Sequence, residues 1–127
     1  MIFITLLFLA AQAKVYEIKG DTEVVLYYKG SVTLKLASNA STGYSWKLEL
    51  KNGSSLECSN LDGTYYSPEN PIPGAGGYEL FEVKCGEACA VGYAEEIKLR
   101  YSRSWETDSV SVRTIMVRIS DEADGGL

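Results

Sequence analysis

Three short segments hold residue types suited to close contact with a partner. Asn39-Ala40-Ser41-Thr42-Gly43 offers hydroxyls and backbone amides for hydrogen bonding, and Gly43 permits a sharp turn back into regular structure. Gly74-Ala75-Gly76-Gly77 follows Pro71 and Pro73. The prolines stiffen the approach, and the glycines leave the backbone bare for close contact. This cluster is not a phosphate cradle, because no Lys-Ser/Thr follows it and Tyr78–Val83 reads as a strand, not a helix whose N-terminus holds an anion. Arg103-Ser104-Trp105 joins two residue types that anchor interfaces, each worth roughly 2 kcal/mol or more when central. Folding back to cap the fold is the other use open to Trp105.

Catalysis has little to work with. The 127 residues contain no histidine, which removes the commonest general base, metal ligand and pH switch together. No GxSxG or SxxK pattern appears, and no pair of acids sits on a recognisable turn or helix. We expect no enzyme, no cofactor and no metal. A net charge of -5, with acids and bases well mixed, argues against a nucleic-acid surface.

Met1 to Ala13 is an apolar run closing on Ala11-Gln12-Ala13, the small-x-small pattern of signal-peptidase cleavage, so residues 1–13 read as a signal peptide and Lys14 as the mature start. The run is shorter than the roughly 20 residues that span a bilayer. A secreted or lysosome-like vesicular address follows, and an oxidising compartment turns the three cysteines toward one disulfide and one spare thiol. Three pairings are open among Cys58, Cys85 and Cys89. Cys58 shares strand parity with Leu56, and Cys85 with Phe81 and Val83, so both face the core and the parity favours Cys58–Cys85. The sequons at Asn39 and Asn52 are possible glycosylation sites.

The elements that position these segments are strands. Short β-branched and aromatic runs are separated by Gly, Asn, Pro and Ser, with no amphipathic helix. The pattern predicts seven strands: Thr22–Tyr28, Val32–Ala37, Tyr44–Leu50, Ser55–Ser59, Tyr78–Lys84, Gly92–Tyr101 and Val110–Ile119. Alternation is clearest in Val32, Leu34 and Leu36 and in Trp46, Leu48 and Leu50, where Trp46 is expected to be buried. Tyr28-Lys29-Gly30-Ser31 and Lys51-Asn52-Gly53-Ser54 read as tight turns. Seven such strands predict one all-β domain, an immunoglobulin-like antiparallel sandwich over residues 14–119, with an acidic disordered tail over 120–127. Because each antiparallel strand reverses direction, the loops Ser38–Gly43, Gly63–Gly77 and Ser102–Ser109 share one end.

Taken in order, the three segments resemble the loops of the chagasin family of cysteine-peptidase inhibitors. That family carries Asn-Pro-Thr-Thr-Gly, Gly-x-Gly-Gly and Arg-Pro-Trp on an immunoglobulin-like sandwich. The counterparts are Asn39 to Gly43, Gly74 to Gly77 and Arg103 to Trp105, and Gly43-Tyr44-Ser45-Trp46 extends the likeness. The resemblance implies a monomer that forms a reversible one-to-one complex with papain-like cysteine peptidases. The first loop would enter the cleft between thiol and imidazole, with Thr42 and Ser41 at the centre. Gly74–Gly77 would lie along one side, and Trp105 would stack on the other.

Ala40 and Ser104 stand where the family has proline, which loosens both loops in the free state. Ala40 also creates the Asn39 sequon. The competing reading is a secreted immunoglobulin-like binding module for carbohydrate or a cell-surface partner, with Tyr65, Tyr66 and Trp105 stacking on sugars. With no imidazole to charge, binding is expected to survive acidification.

Overall fold

Alternating apolar residues dictate strands, and the computed structural model, which describes residues 14–39, 42–67, 76–105 and 111–121, arranges them in two packed sheets. The strands among the described residues are β1 Lys14–Glu17, β2 Thr22–Tyr27, β3 Ser31–Ser38, β4 Tyr44–Glu49, β5 Leu56–Cys58, β6 Thr64–Tyr66, β7 Gly77–Cys85, β8 Ala94–Arg103 and β9 Ser111–Ser120. One sheet runs β1-β3-β7-β5, with β6 also paired to β7; the other runs β2-β9-β8-β4. Residues 1–13, expected to be a signal peptide, Ala40, Ser41, Gly74, Ala75 and the residues past Asp121 lie outside the described residues.

Every second side chain of β3, β7, β8 and β9 enters the space between the sheets. Leu34, Leu36, Phe81, Val83, Leu99, Ile115 and Val117 are fully enclosed there, together with Val24 and Leu26 of β2. Trp46 is buried, as the alternation of β4 predicts. Cores of this kind hold a sandwich together, and truncating a residue such as Phe81 costs about 3–5 kcal/mol.

The sheets are mixed, not purely antiparallel. β1 runs parallel to β3, and β2 runs parallel to β9. Both parallel strands are edges: β1 borders one sheet, and the chain then crosses to the border of the other as β2. Tyr16 joins the two, its hydroxyl donating to Val25 O at 3.3 Å and accepting from Val25 N at 3.2 Å.

Several boundaries differ from the sequence expectation. Neither β1 nor β6 was expected, since β1 is short and mostly exposed and β6 is only Thr-Tyr-Tyr. β6 takes over part of the expected loop Gly63–Gly77. β8 begins at Ala94, because Gly92 has φ 89° and belongs to a turn; at its far end it carries on to Arg103. Ser120, expected to open the tail, completes β9. In the first hairpin-like turn it is Lys29, with φ 65°, that adopts the left-handed conformation, not Gly30. Gly53, with φ 74°, fills that role in the second turn as expected.

The disulfide is Cys85–Cys89, not Cys58–Cys85, and Cys58 is a free thiol. Parity is as expected, because Cys58 and Cys85 both pack against the core. Register decides against the pair: Leu56 stands opposite Cys85, and Cys58 stands opposite Val83. Diagonal neighbours on paired strands lie about 7–8 Å apart, too far for a bridge. A turn from Gly86 instead returns Cys89 to a Cα separation of 5.5 Å from Cys85.

Candidate functional site

The register gathers the three segments at one end of the sandwich. Ser38 at the end of β3 stands opposite Gly77 at the start of β7, Tyr44 at the start of β4 stands opposite Arg103, and Tyr101 stands opposite Ser111. The β3–β4, β6–β7 and β8–β9 connections therefore leave side by side.

In the first, the backbone closes on itself around Thr42. Thr42 N donates to Asn39 O at 3.2 Å, Thr42 Oγ1 donates to the same oxygen at 2.7 Å, and Tyr44 N donates to Thr42 Oγ1 at 3.3 Å. Asn39 N is held from the neighbouring sheet by the Tyr101 hydroxyl at 3.2 Å. These bonds order the base of the loop without the proline missing at Ala40. Thr42 and Gly43 remain exposed.

The second segment enters β7 through Gly76 and Gly77, packed against the first. A Cβ on Gly76 would come within 2.9 Å of Ser38 O, and one on Gly77 would collide with Tyr66 O and the Tyr65 hydroxyl. Glycine is required there because two backbones pass at contact distance. Tyr65 and Tyr66 belong to β6, and Tyr66 stacks on Tyr78 with centroids 5.4 Å apart.

In the third, Arg103 is the last residue of β8, and its guanidinium lies 4.4 Å from the Tyr44 ring centroid and 5.6 Å from that of Trp105. Trp105 does not fold back into the core: it is 68% exposed. Its ring instead covers Gly43, where a Cβ would lie 2.7 Å from Trp105 Cη2; Gly43 also has φ 83°. A stack continues inward from Tyr44 to Tyr101 at 5.3 Å, from Tyr101 to Trp46 at 4.7 Å, and from Trp46 to the Arg113 guanidinium at 5.5 Å. Rings packed on one another and capped by cations in this way attract through the ring quadrupole.

Beneath the first loop lies a residue that sequence reasoning missed. Glu79 of β7 is 2% exposed and points between the sheets. Its Oε2 accepts from Ser38 Oγ at 2.6 Å, and both its oxygens lie 3.2 Å from the donating Trp46 N–H. It thus ties the strand before the loop to the strand after it. Burial pushes the Glu79 carboxyl above its ordinary value, and the bonds from Ser38 and Trp46 oppose that rise. Its signal was available in the sequence: Glu79 has the inward parity of Phe81 and Val83, and Ser38 that of Leu34 and Leu36.

The family model of the chagasin family peptidase inhibitor I42 matches residues 25–119. The chain belongs to this family. As a chagasin-family chain it is a peptidase inhibitor and not an enzyme. Its fold is similar to that of the cysteine protease inhibitor EhICP2 from Entamoeba histolytica, with 23% identity, a TM-score of 0.64, and coverage of 84% of this chain and 96% of that one. It is similar to amebosin, with 20% identity, a TM-score of 0.63, and 86% and 99% of the two chains covered. It is also similar to PbICP-C, solved in complex with falcipain-2, with 14% identity, a TM-score of 0.53, and 85% and 98% covered. No curated protein matches the sequence. Among the described residues no cluster of acids and cysteines could hold a metal ion.

Proposed function

We propose that this chain inhibits papain-like cysteine peptidases by filling their active-site cleft reversibly, as a monomer in a one-to-one complex. The observation that carries the reading is the meeting of three exposed loop bases at one end of a chagasin-family sandwich. Thr42, with Ser41, would occupy the centre of the cleft, Asn39, Ala40 and Gly43 supporting them. Gly74 to Gly77 would lie along the substrate side as added extended chain, and Trp105, with Arg103 and Ser104, would press on the other. That PbICP-C was solved with falcipain-2 supports a papain-like partner.

No covalent step is needed. Thr42 is stapled to Asn39 O, and Trp105 is seated on Gly43, so these residues lose little freedom on docking. A standard interface of roughly 1,600 Å² then suffices for tight binding. The Cys85–Cys89 bridge is chemistry of an oxidising compartment and supports a secretory address.

The test is a titration of recombinant 14–127, without glycans, against several papain-like peptidases, following hydrolysis of a fluorogenic peptide. Stoichiometric inhibition is expected. Full activity of every enzyme at micromolar inhibitor would overturn the reading.

A further inference from the structure

Past the end of β1, a cavity opens beside β3. β1 pairs as far as Glu17 opposite Lys35, and Ile18 N donates to Lys35 O at 2.8 Å. The chain then leaves for β2, and next to Ala37 and Gly77 lies a cavity of about 500 Å³. Trp46 and Tyr78 contribute aromatic surface to its wall, and Lys19, Lys35, Arg113 and Glu17 supply its charges. Three cations to one carboxylate reverse the sign of a chain whose net charge is -5.

These cations are not equally engaged. Lys35 Nζ lies 4.0 Å from Glu17 and 4.4 Å from the Tyr78 ring centroid. Neither Lys19 nor Arg113 has an ion pair among the described residues. Arg113 has the inward parity of Ile115 and Val117, its guanidinium lies over Trp46, and its buried Nε has no acceptor among the described residues. A buried guanidinium N–H without an acceptor is costly. The planar oxygens of a carboxylate match that fork better than any other common anion of a protein surface. Glu17 and Lys19 are exposed, so the attraction is open to salt screening, and Glu17 favours an anion of one charge over one of two.

We propose that this cavity takes a carboxylate, supplied by an acidic side chain on the rim of the peptidase cleft. The proposal rests on the function proposed above. Gly77 lines the cavity and stands opposite Ser38, the pair from which the first and second loops depart, so the cavity borders the docking end.

The test compares wild type with Arg113→Gln and Lys19→Gln in the 14–127 chain, measuring inhibition constants against a panel of papain-like peptidases at low and high salt. Unchanged melting temperatures establish that both variants fold. Against at least one enzyme, Arg113→Gln is expected to raise the inhibition constant about tenfold and Lys19→Gln about threefold, with both losses shrinking at high salt. In parallel, sodium acetate is titrated into free inhibitor at constant ionic strength, following the Trp46 indole N–H by NMR. Both variants matching wild type on every enzyme overturns the proposal, and acetate binding in that same circumstance reassigns the cavity to free acids. A wild type that inhibits nothing is a different failure, that of the proposed function itself.

Discussion

The two ends of the sandwich use the same device for opposite purposes. Each holds one buried carboxylate, Glu79 at the loop end and Glu95 at the other, 2% and 3% exposed. Glu95 accepts from Ser54 Oγ, from Ser55 N at 3.3 Å and from the Tyr93 hydroxyl at 3.1 Å. These bonds close the tight turn at Lys51–Ser54, and the Cys85–Cys89 bridge staples the same end. Glu79 instead grips the two strands flanking a connection whose described residues Thr42 and Gly43 are exposed. The difference teaches that a buried acid fixes only the base of a connection; what lies between the anchors decides whether that end is closed or left to meet a partner.

Sugar attachment separates the ends most sharply. A glycan on Asn39 is expected to abolish inhibition, because it puts bulk on the loop that must enter a narrow cleft, whereas one on Asn52 at the far turn is expected to change nothing. Inhibition assays on Asn39→Gln and Asn52→Gln material from a glycosylating host check this, and a fully active inhibitor carrying sugar at Asn39 would refute it. Next in size, Trp105→Ala is expected to raise the inhibition constant at least about thirtyfold, corresponding to about 2 kcal/mol for a central aromatic anchor. Thermal melting should not move, since the ring is mostly exposed.

The two carboxylates themselves come third. Glu79→Ala and Glu95→Ala should each lower stability by about 1–3 kcal/mol in urea unfolding, since each leaves buried donors unpaired. Only Glu79→Ala is expected to weaken inhibition as well, by about tenfold; an equal loss from both variants would mean that the ends are not functionally distinct. The smallest effect is on pH. The folded-state value of Glu79 is raised, so the native protein holds its proton more tightly than the unfolded chain does, and this group's contribution to stability falls as pH rises from the ordinary carboxylate range through the raised value. Wild type should therefore gain melting temperature relative to Glu79→Gln as pH is lowered toward the ordinary carboxylate range, read as the difference between the two curves.

Most of the sandwich was legible because period-two burial writes itself into β3, β4, β7, β8 and β9. The order of the three loops was legible too, since antiparallel strands force alternate connections to one end. Edge strands were not: β1 is mostly exposed and β6 is three residues long, so neither has a buried face to set a period. Parallel pairing of β2 with β9 joins residues about ninety positions apart and leaves no local trace. The disulfide turned on a two-residue diagonal that parity cannot resolve. Glu79 and Glu95 were visible as charges at inward positions, but their partners, Trp46 N–H and Ser54–Ser55, come from other strands and turns.

The stack that runs from Trp105 to Arg113 has an optical consequence. Its two indoles, the only ones in the chain, sit at opposite extremes of solvent contact, 68% and 4% exposed. Emission from Trp105 is that of a wet indole and emission from Trp46 that of a dry one, so the red edge of the spectrum reports the loop tip while the blue edge reports the core. A ligand that covers Trp105 shifts its emission to the blue, whereas unfolding wets Trp46 and shifts its emission to the red, so docking and unfolding move the spectrum in opposite directions.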